Sequence, residues 1–235
     1  MKLTAMTYNI FSGRNLMRDL NLEHAASVIR QVQPDFASIN EVRSHTEDIG
    51  PVDQANDLGR LTGYYPVFAK TINVLGGEYG IAFLSRLPVL ETQIIHIPDP
   101  EQSSEYKHYE HRCILRCVLL AGDKPITVFT THFGLVPSEQ ENAVATALSL
   151  FKDETNPLLF MGDLNAEPDT PEVQPLFAAL QDTCAGQHLL TFPSDTPRIK
   201  IDHILYRGGW QVLDVRSMDI QNSDHRPLIA ELELQ

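Results

Sequence analysis

The chain is short of the features that hold small secreted or membrane-bound proteins together. Three cysteines in 235 residues are an odd number in a chain long enough to bury a core without staples. A disulfide framework is therefore not its organising device, and Cys113, Cys117 and Cys184 are expected as free thiols. Cys113 and Cys117 share one face of a predicted strand, yet two thiols without companion Cys or His ligands make a poor zinc site. No stretch approaches the roughly 20 apolar residues that span a membrane. The opening MKLTAMTYNI has neither the apolar core nor the small-residue cleavage site of a secretion signal, so a cytoplasmic location is expected.

Cations are scarce as well: 18 Lys and Arg stand against 31 Asp and Glu, a net charge of −13. Nucleic-acid binding relies on Lys and Arg displacing phosphate counterions, so duplex DNA is not the favoured partner, although a local basic patch would be enough to change that. There is no internal repeat, low-complexity tract or Gly/Ser linker, and residues 1–235 read as one domain.

What is present is an ordinary globular composition, 43% hydrophobic and 21% charged. NLEHAASVIRQVQP places Leu22, Ala25, Ile29 and Val32 on one helical stripe after an Asn cap and stops at Pro34. SEQENAVATALSLF opens with Ser138 and Glu141 in capping-box spacing and repeats apolar residues at Val144, Leu148 and Phe151. Around these two helices, KLTAMTYNI, DFASIN, YPVFAK, GIAFLSR, CILRCVLL, PITVFTTHF, PLLFMGDLN, IKIDHILY and PLIAELEL are predicted strands, rich in branched and aromatic residues. Many strands with few helices fit an α/β four-layer sandwich, two mostly antiparallel packed β-sheets flanked by helices. IPDPEQSSEYKHYEH (97–111) reads as a long loop.

Polar groups end these apolar strands repeatedly. Asn9 follows MTY, Glu41 follows FASIN, His132 follows VFTT, Asp163 and Asn165 follow PLLFM, and Asp224 and His225 precede the last strand. Each alone is an ordinary turn or surface residue; their recurrence at strand ends points to one shared site. Glu41 supplies a hard oxygen of the kind Mg²⁺ or Mn²⁺ prefers. Asp163 and Asn165, two apart, project to the same side if the chain stays extended.

In chain order, TYNI, PDFASINEV, EYGIAFLSRLPV, TTHF, GDLNAEP, IDHILY and SDHRP resemble the endonuclease/exonuclease/phosphatase superfamily. These are metal-dependent phosphoesterases that include pancreatic-type deoxyribonuclease, apurinic-site endonucleases, neutral sphingomyelinases and inositol-polyphosphate phosphatases. Singly the matches are weak; as an ordered set spanning nearly the whole chain they are specific. Asn40 stands where the family usually has Gln, and Phe11-Ser12 replaces a His pair seen in one subgroup; neither change removes a reactive group.

The resemblance implies the same sandwich, with an active site at one edge of the paired sheets and a divalent cation, Mg²⁺ or Mn²⁺. It implies Glu41 as metal ligand, with Asn9 near the ion and Asp224 beside the ion or its waters. Asp163 would orient or deprotonate the attacking water, and Asn165 would donate its amide to a phosphoryl oxygen. Asp202 would orient His225 and favour its protonated form, His132 would stabilise or protonate an oxygen, and Arg112 would contact phosphate. Arg226 and Arg86 are expected to be structural, as are His24, His45, His96, His108, His111, His188 and His203, with substrate contact from the long loop as the alternative for His108 and His111; Tyr79 is packing or a substrate wall.

The expected activity is hydrolysis of a phosphodiester or phosphomonoester by direct attack of water. The acidic composition favours a small phosphorylated molecule or a phospholipid-type ester over nucleic acid. A DNA-repair endonuclease or exonuclease is the alternative enzyme, and a catalytically silent phosphate- or protein-binding module is the alternative of another class. No protein partner is inferable.

Overall fold

The computed structural model describes residues 1–101 and 109–235. Twelve strands, four α-helices and one short 3-10 turn (Phe11–Gly13) lie among them. Strand side chains alternate between faces, and here that period sorts apolar residues into separate layers. Along β1 (Lys2–Asn9), Leu3 and Ala5 enter one apolar cluster while Met6 and Tyr8 enter another. Along β2 (Phe36–Ser44), Phe36 joins the first cluster, and Ala37 and Ile39 join the second.

β1 and β2 lie at the centre of a six-stranded sheet with β3 (Tyr65–Val74), β4 (Gly77–Ser85), β11 (Trp210–Ser217) and β12 (Leu228–Leu234), in the order β11-β12-β1-β2-β4-β3. The second sheet runs β5-β6-β7-β8-β10-β9, built from β5 (Val89–His96), β6 (Cys113–Ala121), β7 (Lys124–His132), β8 (Leu158–Asp163), β9 (Gln181–Asp182) and β10 (Asp202–Arg207). Both sheets are mixed. Each has a single parallel pair at its centre, β1 with β2 and β7 with β8, and is otherwise antiparallel.

The central core lies between the sheets, where Leu3, Ala5 and Phe83 meet Leu115, Cys117, Val128 and Met161. The outer face of the first sheet is covered by α1 (Glu23–Val32) and α2 (Gln54–Thr62) through Ala25, Ile29 and Leu58. The outer face of the second is covered by α3 (Pro137–Asp153) and α4 (Gln174–Ala179) through Val144, Phe151 and Leu176. There Phe129, Phe151 and Phe160 pack edge to face at centroid distances of 5.3 and 5.5 Å, geometry worth about 0.5–1.5 kcal/mol per pair beyond area burial. Two sheets with helices on both outer sides are the expected four-layer sandwich. The three cysteines are free and buried.

The α1 stripe packs as its spacing predicts, and Asn21 Oδ1 accepts the Glu23 amide at 3.1 Å. In α3 the capping differs from the sequence reading. Pro137 already occupies the first turn, so the helix starts before Ser138, and Glu139 reaches back to the amides of Leu135 and Val136 at 3.1 and 3.3 Å. α2 is not among the helices expected from the sequence, yet its ends carry helix signals: Asp53 caps the Asn56 amide, and left-handed Gly63 (φ 80°) closes it.

One glycine sets how closely the two parallel strands of the second sheet approach. Gly162 of β8 has φ +146°, and a Cβ there would lie 1.9 Å from the Thr131 carbonyl oxygen of β7. Neither the backbone nor the space admits a side chain. Gly162→Ala is therefore expected to destabilise the protein by at least about 3 kcal/mol in urea-induced unfolding; a midpoint equal to that of the parent would contradict this close packing.

Candidate active site

The residues that face the partner sheet change character along their strands. On β1 the inward row reads Leu3, Ala5, Thr7, Asn9; on β2 it reads Phe36, Ser38, Asn40; on β7, Ile126, Val128, Thr130, His132; on β8, Leu159, Met161, Asp163. The core thus turns from apolar to hydroxyl to amide, imidazole and carboxylate toward the C-terminal ends of both parallel pairs. Register completes the assembly, because Asp163 is the ladder partner of His132 on one side and of Asp202 on the other. Asn9 pairs with Asn40 in the same way in the opposite sheet.

Two asparagine amides join the sheets at this end. Asn40 donates to the Thr131 carbonyl at 2.7 Å and accepts the Asp163 amide at 3.2 Å. Asn9 Nδ2 donates to both Glu41 Oε1 and Asp163 Oδ2 at 3.1 Å, while its oxygen accepts the Phe11 amide at 3.0 Å. Sequence reading noted Asn40 only as a departure from Gln; the signal it overlooked was an amide on the buried face of a central strand, which has to find partners there.

Asp163 is the meeting point. Its Oδ1 accepts the Asn165 amide at 2.9 Å, and its Oδ2 lies 3.6 Å from both His132 Nε2 and His225 Nε2. His225 Nδ1 bonds Asp202 Oδ2 at 2.8 Å, and Phe192 packs on the imidazole with centroids 4.8 Å apart. The Asn165 side chain, on a left-handed residue (φ 48°), donates to the Phe133 carbonyl at 3.0 Å and faces His132 Nε2 at 3.2 Å. Glu41 is also left-handed (φ 59°), at an irregularity where the β2–β4 register shifts between Ile39 and Val42; such bulges re-aim side chains near sites. Ser223 ties the Ser-Asp-His corner to β1 by bonding the Asn9 carbonyl at 2.7 Å.

Burial dominates the electrostatics. It pushes Glu41 up to about 7, opposed by the Asn9 hydrogen bond and reinforced by Asp224. It pushes Asp163 and Asp224 up too, in both cases against the pull of His225. Burial alone would lower His225, but the carboxylates of Asp202, Asp163 and Asp224 outweigh it and hold the imidazole up at about 10. His132, buried and near Arg112 and His225, is driven well below the ordinary histidine value and is neutral at pH 7.

Four carboxylates, buried Asp163 and Asp202 and half-buried Glu41 and Asp224, therefore share one cluster with one imidazolium. Asp202 Oδ1 is buried with no hydrogen-bond partner among the described residues, and Asp163, Asp202 and His225 each offer a ligand atom within 4.8 Å of the others. An excess of buried hard oxygen donors fits a divalent cation.

Arg112, just before β6, ion-pairs with Glu110 at 2.8 Å and is close enough to depress His132. His111 is exposed and pairs with Asp99 at 2.7 Å; His108 lies outside the described residues. Arg226 donates to the Ser194 carbonyl at 2.7 Å and pairs with Asp219, and Arg86 pairs with Asp35, so both brace loops. His203 points to the outer face, between Lys200 Nζ and the Ala166 carbonyl. No helix among the described residues is long and apolar enough to cross a membrane.

Solved structures share this architecture. A functionally unknown conserved protein from Enterococcus faecalis is 22% identical, with 99% of this chain and 100% of that one covered at a TM-score of 0.81. A mannosyl-6-phosphatase from Bacteroides thetaiotaomicron is 17% identical over 99% of this chain and 100% of its own, at 0.77. The human Nocturnin catalytic domain with bound sulfate is 16% identical over 100% and 95%, at 0.75. At such identities the likeness is one of fold. No curated protein matches the chain. The Endonuclease/Exonuclease/phosphatase family matches residues 6–225, and the chain belongs to that family.

Proposed function

We propose that residues 1–235 act as one catalytic domain, a divalent-metal-dependent phosphoesterase that hydrolyses a small phosphorylated molecule or phospholipid-type ester by direct attack of water. The observation that carries this reading is the convergence on Asp163: a carboxylate from the second sheet, bridged by Asn9 to Glu41 of the first and flanked by two imidazoles at 3.6 Å. The mannosyl-6-phosphatase among the neighbours supports a sugar phosphate within the substrate class.

Glu41, with Asn9 and Asp224, would hold Mg²⁺ or Mn²⁺. Such an ion, when bound, offsets phosphoryl charge as a Lewis acid. Asp163 orients the attacking water and takes its proton as the water oxygen bonds to phosphorus, while the bond from phosphorus to the ester oxygen breaks and that oxygen leaves as an alcohol with a proton from solvent. His225, kept cationic by Asp202, faces the phosphoryl oxygens, and the Asn165 amide donates to one of them. His132, neutral in this setting, is suited to hydrogen-bonding a phosphoryl oxygen rather than to delivering a proton. Arg112 adds positive charge at the rim. One acid–base group contributes only about 10²–10⁴-fold, far below what phosphate-ester hydrolysis demands, so the groups have to act together.

The substrate class is tested by turnover with Mg²⁺ or Mn²⁺ on sugar monophosphates, inositol phosphates, a choline phospholipid, and abasic duplex and single-stranded DNA. A preference for DNA would favour a repair nuclease. Phosphate binding without any turnover would favour a silent binding module.

Three outcomes are expected. Asp163→Asn lowers kcat at least about 100-fold with the fold intact by circular dichroism; a loss under threefold would remove Asp163 from the chemistry. Glu41→Gln weakens Mn²⁺ binding in calorimetry at least about tenfold, whereas a larger loss in Asp202→Asn would put the ion on the Asp163, Asp202 and His225 side instead.

The third concerns the metal-free protein. A histidine held above its unfolded value contributes stability that is fully present below about 6.5 and is lost as the pH rises through the folded value, here about 10. Asp202→Asn removes the main source of the elevation, so NMR titration of His225 is expected to show its midpoint lowered by more than about one unit. An unmoved midpoint would refute the pairing.

A further inference from the structure

Immediately beside Glu41 the molecule turns basic. A cleft of about 320 Å³ is lined by Glu41 and Phe11 together with three arginines, Arg14, Arg18 and Arg43, and by Asp48. In a chain of net charge −13 with 18 cations, three guanidiniums in one cleft form a local reversal of sign. Asp48 is shared between two of them, at 2.6 Å from Arg14 and 2.9 Å from Arg43. Arg18 has no carboxylate partner among the described residues; its guanidinium lies over the Phe11 ring at 5.9 Å.

The cleft is built before any ligand arrives. Phe11, Ser12 and Gly13 are successive left-handed residues (φ 49°, 55° and 77°). Buried Gln54 pins that turn to β2, donating to the Ser12 carbonyl at 2.6 Å and accepting the Arg43 amide at 2.8 Å. Arg43 Nε donates to the Ser12 hydroxyl at 3.0 Å, and its guanidinium lies over Tyr79 at 5.8 Å. Arg43 is thus held on several sides, which lowers the entropy lost on binding an anion. Guanidiniums present forked donors that match phosphate and carboxylate oxygens. Three of them against Asp48 and Glu41, the latter claimed by the metal in the reading above, suit a phosphate, with three oxygens and nearly two charges, better than a carboxylate with two oxygens and one.

We infer that this cleft receives a second phosphoryl group of the substrate, so that the enzyme selects small molecules carrying two phosphates over their monophosphates. The inference rests on the phosphoesterase reading above, because Glu41 lines both the cleft and the hydrolytic cluster. One phosphate would sit at Asp163 and His225 while the other anchors on Arg14, Arg18 and Arg43.

The test is calorimetry in saturating Mg²⁺ with turnover suppressed by Asp163→Asn. The probes are glucose 1,6-bisphosphate, glucose 1-phosphate, glucose 6-phosphate and glucuronic acid 1-phosphate. The bisphosphate is expected to bind at least roughly tenfold tighter than either monophosphate and than the uronate, the scale of one charge-assisted contact. Adding Arg18→Glu is expected to reduce that preference below about threefold, and Arg14→Ala to reduce it in part. Arg60→Glu, the same charge change on the exposed face of α2, is expected to keep it. Equal binding of bisphosphate and monophosphates, a preference that survives Arg18→Glu, or a uronate that binds as well as the bisphosphate would overturn the inference. Absence of phosphoester turnover in the parent would count against the hydrolase reading alone, since the binding ratios are measured without turnover.

Discussion

The two sheets have to be held at a fixed separation where their parallel pairs end, and asparagine amides do this. Asn40 accepts the backbone N–H of Asp163 and donates to the Thr131 carbonyl, so one side chain of the first sheet holds both parallel strands of the second. Asn9 does the same for side chains, linking Glu41 to Asp163. Each bond adds only about 1 kcal/mol net, but leaving such buried groups unpaired costs about 1–3 kcal/mol each. The arrangement is therefore specific rather than strong: any sliding of one sheet over the other breaks several bonds together and separates Glu41 from Asp163.

The same closeness creates an electrostatic burden that belongs to function. Carboxylates outnumber cations in the cluster, and burial raises Glu41, Asp163 and Asp224. His225 relieves part of this, and a divalent cation would relieve more, which couples metal binding to folding. The apolar part of the inter-sheet core carries the stability that lets its polar end stay frustrated. Gly162 belongs to the same logic, because it lets β7 and β8 approach where His132 and Asp163 have to sit side by side.

Most strands and the two amphipathic helices were legible because their periods are written in the chain; β11 and the two-residue β9 were not among the strands expected from the sequence. Met6 and Tyr8 against Leu3 and Ala5 alternate cleanly, and the Leu22, Ala25, Ile29 and Val32 stripe packs where its spacing put it. α2 and α4 were harder to see because they are short, nine and six residues, and the start of α3 moved because Pro137 and Glu139 outcompete Ser138 and Glu141 for its first turn. Of the site, the polar ends of the strands were visible as Asn9, Glu41, His132, Asp163, Asn165, Asp224 and His225. Asn40 was seen but not understood, and the arginine-lined cleft was invisible because Arg14, Arg18 and Arg43 share no period.

The sequence by itself determined most of the strands, which of their faces are apolar and which of their ends carry chemistry, because side-chain alternation and turn residues act over a few positions. Only the tertiary structure decided which ends meet, since that depends on strand order and register between segments far apart in the chain, 154 residues for Asn9 and Asp163 and 214 for Asn9 and Ser223. It also decided their charge states. A neutral His132 and a cationic His225 are the same side chain, distinguished only by which buried carboxylates and guanidiniums the fold brings alongside.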